Sequence, residues 1–146
     1  MKKALFPGSF NPFTRGHQSI VERGLRLFDH IVVGVGRNTA KPTDDAEACA
    51  QTIAALYADN PRVSVQVYDT LTVDFARQIG ADFLLRGVRT LADFDYELQM
   101  ADVNRLLAGI ETVVLFADAD KVEISSSLVR ELQRFGKDIS DYLPEK

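Results

Sequence analysis

Ile31-Val32-Val33-Gly34-Val35-Gly36 is the stretch whose reading decides the fold. Apolar, mostly β-branched residues follow one another without alternating with polar ones. That is the pattern of a strand covered on both faces; a strand with one face in water would alternate. Working outward, Ala4-Leu5-Phe6 is a shorter apolar run expected to stop at Pro7-Gly8. Behind Thr14, a residue type that caps helices, Ile20, Val21, Leu25, Leu27 and Phe28 recur at helical spacing. Downstream, Asp44-Asp45-Ala46-Glu47 opens a helix expected to reach about Tyr57, and Val63, Val65 and Val67 alternate as a third strand. Leu71 to Ile79 carries a helical pattern ended by Gly80, Phe83-Leu84-Leu85 is a fourth strand, and Arg86-Gly87 marks its exit. Leu91, Phe94, Leu98 and Ala101 share one face of a long helix that precedes Gly109 and a fifth strand at Thr112 to Phe116. Ser125-Ser126-Ser127 can cap a last helix with apolar residues Leu128, Val129, Leu132 and Phe135 and a stop at Gly136.

Strands alternating with helices predict an α/β fold: one five-stranded parallel sheet with helices on both faces, joined by right-handed crossovers. With 146 residues, 46% of them hydrophobic, the chain can bury a substantial core, and a single domain over 1–146 is expected. No run approaches the roughly 18 apolar residues of a membrane helix, and the short Ala4-Leu5-Phe6 run does not make a signal-peptide core, so a cytoplasmic protein without a membrane partner is expected. One cysteine, Cys49, excludes an internal disulfide, and with His17 and His30 it is too little for a Cys/His zinc site; oxygen-ligated magnesium stays allowed. Seventeen Lys and Arg against 21 Asp and Glu leave a net charge of −4, which argues against a nucleic-acid coating protein. An anionic ligand would need a local cluster of positive groups.

Open parallel sheets bind ligands at the carboxyl ends of their strands, where strand order reverses. The loops expected to converge there are Pro7 to Gly16, Gly36 to Thr43, Arg86 to Thr90 and Ala117 to Ser126. In the first, Gly16 precedes His17 at a helix start, where free N–H groups favour phosphate; a turn with a surface histidine explains that pair equally well. Arg86 and Arg89 leave the fourth strand at the ligand end, and arginine forks hold phosphate bidentately, although two loop arginines can also be plain solvated charges. Capping accounts for one of Ser125, Ser126 and Ser127; three hydroxyls exceed what a cap needs.

Taken together, Gly8-Ser9-Phe10-Asn11-Pro12 with Thr14-Arg15-Gly16-His17, Arg86-Gly87-Val88-Arg89, Asp93-Phe94-Asp95-Tyr96-Glu97 and Ile124-Ser125-Ser126-Ser127 resemble the bacterial phosphopantetheine adenylyltransferase family along nearly the whole chain. The Gly-His pair and the serine run alone mark only the wider nucleotidyltransferase superfamily. The resemblance implies a Rossmann-like domain that transfers adenylate from ATP to 4′-phosphopantetheine with magnesium, giving dephospho-CoA and pyrophosphate. It implies a homohexamer and feedback by CoA. It implies His17 as the stabiliser of the transition state. ATP would be bound by Ser9, Phe10, His17, Gly87, Val88, Arg89, Glu97 and the segment Lys121, Val122, Glu123, Ile124, Ser125, Ser126 and Ser127. Phosphopantetheine would be bound by Ser9, Lys41, Thr72 and Arg86. Without the family, Glu97 reads as a solvated glutamate on an amphipathic helix. The chain departs from the family pattern after Lys41, where Pro42-Thr43-Asp44-Asp45 follows, and before Ile124, where Lys121-Val122-Glu123 stands in place of an aromatic residue. A cytidylyltransferase for a phosphorylated alcohol and a non-catalytic nucleotide-binding module share part of these features and remain alternatives at this point.

Overall fold

The run at residues 31–36 lies inside the sheet, flanked by a strand on each side. The computed structural model describes residues 1–37, 40 and 45–145. Among these the chain alternates β1 (Lys3–Gly8), α1 (Arg15–Gly24), β2 (His30–Gly36), α2 (Ala46–Leu56), β3 (Val63–Tyr68), α3 (Thr72–Gln78), β4 (Phe83–Val88), α4 (Leu91–Ala108), β5 (Glu111–Phe116) and α5 (Ser126–Arg134). The described strands form one five-stranded parallel sheet in the order β3-β2-β1-β4-β5. The α/β, Rossmann-like arrangement expected from the alternation is therefore present.

Both faces of the sheet are covered, as the unalternating run at 31–36 requires. Ala4, Phe6, Ile31, Val33 and Val35 pack with Ile20 and Val21 of α1 and Ile53 of α2 on one face. Leu5, Val32 and Leu84 pack with Val73, Phe75 and Ala76 of α3 on the other. Each large side chain removed from water in this way contributes about 1.5–3 kcal/mol before entropy is counted. The helix starts follow local chemistry. Thr14, Asp45, Thr90 and Ser125 each accept a hydrogen bond from the backbone N–H three residues on, satisfying donors that the helix itself cannot. At the far end of α4, Gly109 adopts φ +66°, a left-handed turn that an L side chain resists.

Three expectations need correction. β1 does not stop at Pro7-Gly8 but continues through them, because only its β2 side stays paired: the register with β2 runs from Lys3 to Gly8, whereas pairing with β4 covers Ala4 and Leu5. The carbonyl of Pro7 accepts from Arg86 at 2.7 Å, so the missing N–H of Pro7 faces the side where no ladder bond was available to lose. β4 likewise continues past Leu85, since Arg86, Gly87 and Val88 pair with Val114, Leu115 and Phe116 of β5; Arg86 is a strand residue rather than a loop residue. Finally, the face of α4 read as apolar does not meet the core. Leu91, Phe94 and Leu98 are exposed, as are Val103, Leu106 and Leu107, and among the described residues the one that α4 buries is Glu97.

β1 joins the two halves of the sheet, and Leu5, 0% exposed, packs on its α3 face. Leu5→Ala is expected to lower stability by about 3 kcal/mol with an unchanged denaturant slope, measured by chemical unfolding. A loss under about 1 kcal/mol would mean that this face tolerates a cavity and contributes little.

Candidate active site

Strand order reverses between β1 and β4, and it is there that these two strands part beyond Leu5. Among the described residues, two cavities open at the carboxyl ends of the strands around this gap, and both are lined by Pro7, Gly8, Ser9 and Arg86. One, of about 280 Å³, lies between the loop after β1, the start of α1, the exit of β4 and the segment before α5. The other, of about 410 Å³, lies over β1 and β4 and is walled by α4.

The smaller cavity gathers Ser9, Phe10, His17, Gly87, Val88, Arg89, Lys121, Ile124, Ser125 and Ser126 of the residues expected to hold ATP. Its described lining includes Arg86, Arg89 and Lys121 and no Asp or Glu. Gly87 is needed for closeness: a Cβ there would stand 2.9 Å from Ile20. Val122, Glu123 and Ser127 do not line it. Val122 offers its carbonyl to Arg89 at 3.4 Å, and Ser127 accepts from Arg130 at 3.2 Å on the outer side of α5. The other two serines also have structural partners: Ser125 accepts from the N–H of Leu128 at 3.1 Å, and Ser126 donates to the carbonyl of Pro12 at 2.7 Å, tying α5 to the first loop.

His17 stands at the third position of α1, in reciprocal capping with Thr14. Its Nδ1 accepts the backbone N–H of Thr14 at 2.9 Å. A backbone N–H can only donate, so Nδ1 carries no proton and the neutral ring holds its proton on Nε2. Phe10 and Phe13 pack against the ring with centroids 4.9 and 5.3 Å away. Phe10 reaches this place through a left-handed backbone, φ +48°, with its own ring 4% exposed. Burial, then the positive charges of Arg86 and Arg89, push the His17 pKa down to about 4. At neutral pH the cavity thus presents an N–H donor that adds no charge of its own.

Arg86 is the hinge of the second cavity. Its Nε donates to Glu97 Oε2 at 2.6 Å and a terminal nitrogen donates to the Pro7 carbonyl. Glu97 is 5% exposed, so the reading as a solvated glutamate is wrong: the carboxylate is buried because a guanidinium neutralises it. It lines the larger cavity together with Thr72 rather than the smaller one. Thr72 is hydrogen-bonded to the Tyr68 hydroxyl at 2.9 Å. Lys41 lies outside the described residues. Sequence reasoning missed Arg37, Tyr68, Asn104 and Thr112 in this cavity. Arg37 follows β2 directly, where the carboxyl-end rule points; Glu97, Ala101 and Asn104 form a stripe at helical spacing that was readable once α4 was known to wall a site.

Comparison with known proteins identifies the family. A family model described as cytidylyltransferase-like matches residues 5–132. Phosphopantetheine adenylyltransferases of Phocaeicola vulgatus and Porphyromonas gingivalis are 51% identical over 146 residues and 52% identical over 148, each match covering 99% of this chain and 97% of the relative. The chain belongs to the phosphopantetheine adenylyltransferase family. A more distant member, from Leuconostoc citreum, is 44% identical over 147 residues, covering 99% of this chain and 93% of its own. Among solved structures, a putative nicotinate-nucleotide adenylyltransferase from Vibrio parahaemolyticus matches with a TM-score of 0.67 at 23% identity, covering 99% of this chain and 88% of that one. This last likeness shows the shared fold. The family model's description spans cytidylyl transfer, and the near-full-length relatives narrow it to the adenylyl-transferring branch.

The depressed His17 pKa has a thermodynamic consequence. Between pH 6.5 and about 4 the unfolded chain takes up a proton at residue 17 that the folded chain refuses, so stability falls as pH drops through that window. His17→Asn keeps an acceptor for the Thr14 N–H without a titrating ring. Denaturant unfolding of both proteins across this window should show a shallower pH slope for the variant; His30, also lowered, accounts for a residual slope. Equal slopes would contradict a neutral His17.

Proposed function

We propose that the two cavities hold the two substrates of one adenylyl transfer: ATP in the smaller, 4′-phosphopantetheine in the larger, with dephospho-CoA and pyrophosphate as products in coenzyme A biosynthesis. The observation that supports this most is that the cavities share Ser9 and Arg86. Two ligands meeting there bring an acceptor phosphate against a nucleotide α-phosphorus. An oxygen of the acceptor phosphate attacks that phosphorus, the bond to the β-phosphate bridging oxygen breaks, and pyrophosphate leaves. The nucleophile is ionised at neutral pH, so no general base is required, and the protein's contribution is position and charge stabilisation.

In this reading His17 donates its Nε2 proton as a hydrogen bond to the phosphate whose charge grows in the transition state. Arg89, Lys121 and the hydroxyl of Ser125 hold the nucleotide beside Phe10, Gly87, Val88, Ile124 and Ser126. Arg86 binds the acceptor phosphate with Ser9 and Lys41, and Glu97, locked to Arg86, orients the guanidinium from the acceptor side. Thr72 meets the pantetheine arm. CoA, which shares that arm, would act as a feedback ligand of the same cavity.

Magnesium is proposed as the cation that accompanies ATP. Among the described residues, no group of three or more His, Cys, Asp or Glu gathers to hold a metal, and the smaller cavity's described lining has no carboxylate. The ion would therefore be bound chiefly by the triphosphate and water, where it neutralises charge. A cytoplasmic location fits a chain in which, among the described residues, no helix is long and apolar enough to cross a membrane. A homohexamer is the proposed assembly, and the support is α4: Leu106 is 87% exposed, with Leu107, Leu98 and Leu91 exposed along the same helix. Apolar surface of that extent is covered in most proteins by another chain.

Supplying dephospho-CoA, pyrophosphate and magnesium should yield ATP, and folded protein that makes none would overturn the assignment. Arg86→Ala would strand the buried Glu97 carboxylate, so Arg86→Ala with Glu97→Gln is the variant to compare. It should raise the KM for phosphopantetheine tenfold or more, roughly the loss of one charged phosphate contact; an unchanged value would misplace the acceptor site. In light scattering the wild type should run as six chains, and Leu106→Glu with Leu107→Glu should run smaller. An unchanged mass for the variant would remove α4 from the interface.

A further inference from the structure

A polar cluster behind the smaller cavity meets the chemistry above only at Lys121. Ser19, 6% exposed, lies on α1 just past His17, and Arg23 lies one turn on along the same face. The Ser19 hydroxyl donates to Asp118 Oδ2 at 2.7 Å. Arg23 donates to the Phe116 carbonyl at 2.7 Å and stands 3.4 Å from Asp118 Oδ1. Lys121 donates to Asp118 Oδ2 at 3.4 Å and to Asp120 Oδ1 at 3.1 Å. Lys121 lines the smaller cavity and also a neighbouring one of about 380 Å³ that Ser19 and Asp118 share; Asp118 does not line the smaller cavity.

We propose that Asp118 is a positioning residue for the nucleotide: its carboxylate, anchored to α1 by Ser19 and Arg23, holds the Lys121 ammonium at the cavity wall for the phosphates of ATP. The proposal rests on the assignment of that cavity to ATP. Both carboxylate oxygens are engaged, one with Arg23 and the other with Ser19 and Lys121. The Ser19 hydrogen bond, with Arg23 and Lys121, keeps the Asp118 carboxyl below its usual range, so the clamp is charged wherever ATP is. A lysine side chain is long and freely rotating, and ordering it at the moment of binding weakens affinity. Asp118 orders it beforehand. An ammonium has three donors, and those not given to Asp118 and Asp120 remain for a phosphate oxygen.

The test is steady-state kinetics in both substrates for Asp118→Asn, Lys121→Ala and the double variant, with melting temperatures. Asp118→Asn should raise the KM for ATP about threefold to tenfold, with kcat and the KM for phosphopantetheine held within about twofold. Lys121→Ala should raise the KM for ATP at least as much, and the double variant should be no worse than Lys121→Ala alone, since one residue acts through the other. If Lys121→Ala raises the KM for ATP while Asp118→Asn leaves it unchanged, or if the two effects multiply, the clamp is overturned and the cavity assignment stands. If Lys121→Ala has no effect on ATP, Lys121 leaves the nucleotide site and the proposal falls with it. Should Asp118→Asn fail to fold, Ser19→Ala carries the same comparison: a smaller rise in the KM for ATP that vanishes beside Lys121→Ala supports the clamp, and no rise overturns it.

Discussion

The parting of β1 from β4 after Leu5 is the constraint on which the site depends. A parallel sheet that stayed zipped to the ends of its strands would leave no space between the two halves of its topology. Here the ladder stops early, a proline without an N–H occupies the opened edge, and Arg86 crosses the gap to take the Pro7 carbonyl. The backbone acceptor that the missing ladder would have satisfied is satisfied by a side chain. That same side chain then stands where both cavities meet. Opening the sheet and placing a cation at the opening are therefore one structural event.

Charge is arranged around that cation by depth. The chain is acidic overall, at −4, yet the described lining of the smaller cavity has arginine, lysine and histidine without a carboxylate. The Glu97 carboxylate lines the larger cavity instead and is engaged by Arg86. His17 stays neutral because burial beside aromatic rings disfavours its charged form, and the two arginines add to this. Attraction of anions is thus a short-range property of the cleft, screened from the acidic exterior over about a Debye length.

Much of this was legible in the residues. The β-branched run at 31–36 implied a strand covered twice, and the two packed faces follow from it; Thr14 and Ser125 marked helix starts because their side-chain chemistry is local. The first, fourth and fifth loops converge as the carboxyl-end rule requires. The misread features are those set by partners distant in sequence. Pro7 looks like a stop unless β4 is known to leave its edge. Glu97 looks solvated unless Arg86, eleven residues away, is known to face it. The apolar face of α4 has helical periodicity, but periodicity shows only that a face is apolar, not which surface covers it. Ser127, which the resemblance carries with Ser125 and Ser126, lies off the smaller cavity because successive residues of a helix point some 100° apart.

The hydrogen bond from the Thr14 N–H to His17 Nδ1 carries a consequence for how the site can evolve. In many enzymes the proton of a working histidine is steered by a neighbouring carboxylate, which one codon change can abolish. Here the steering group is main chain, present whatever side chain follows Phe13 so long as it is not proline and the helix begins at the same residue. The proton's address on the ring is inherited from backbone geometry. The choice of tautomer therefore does not rest on which side chains surround His17.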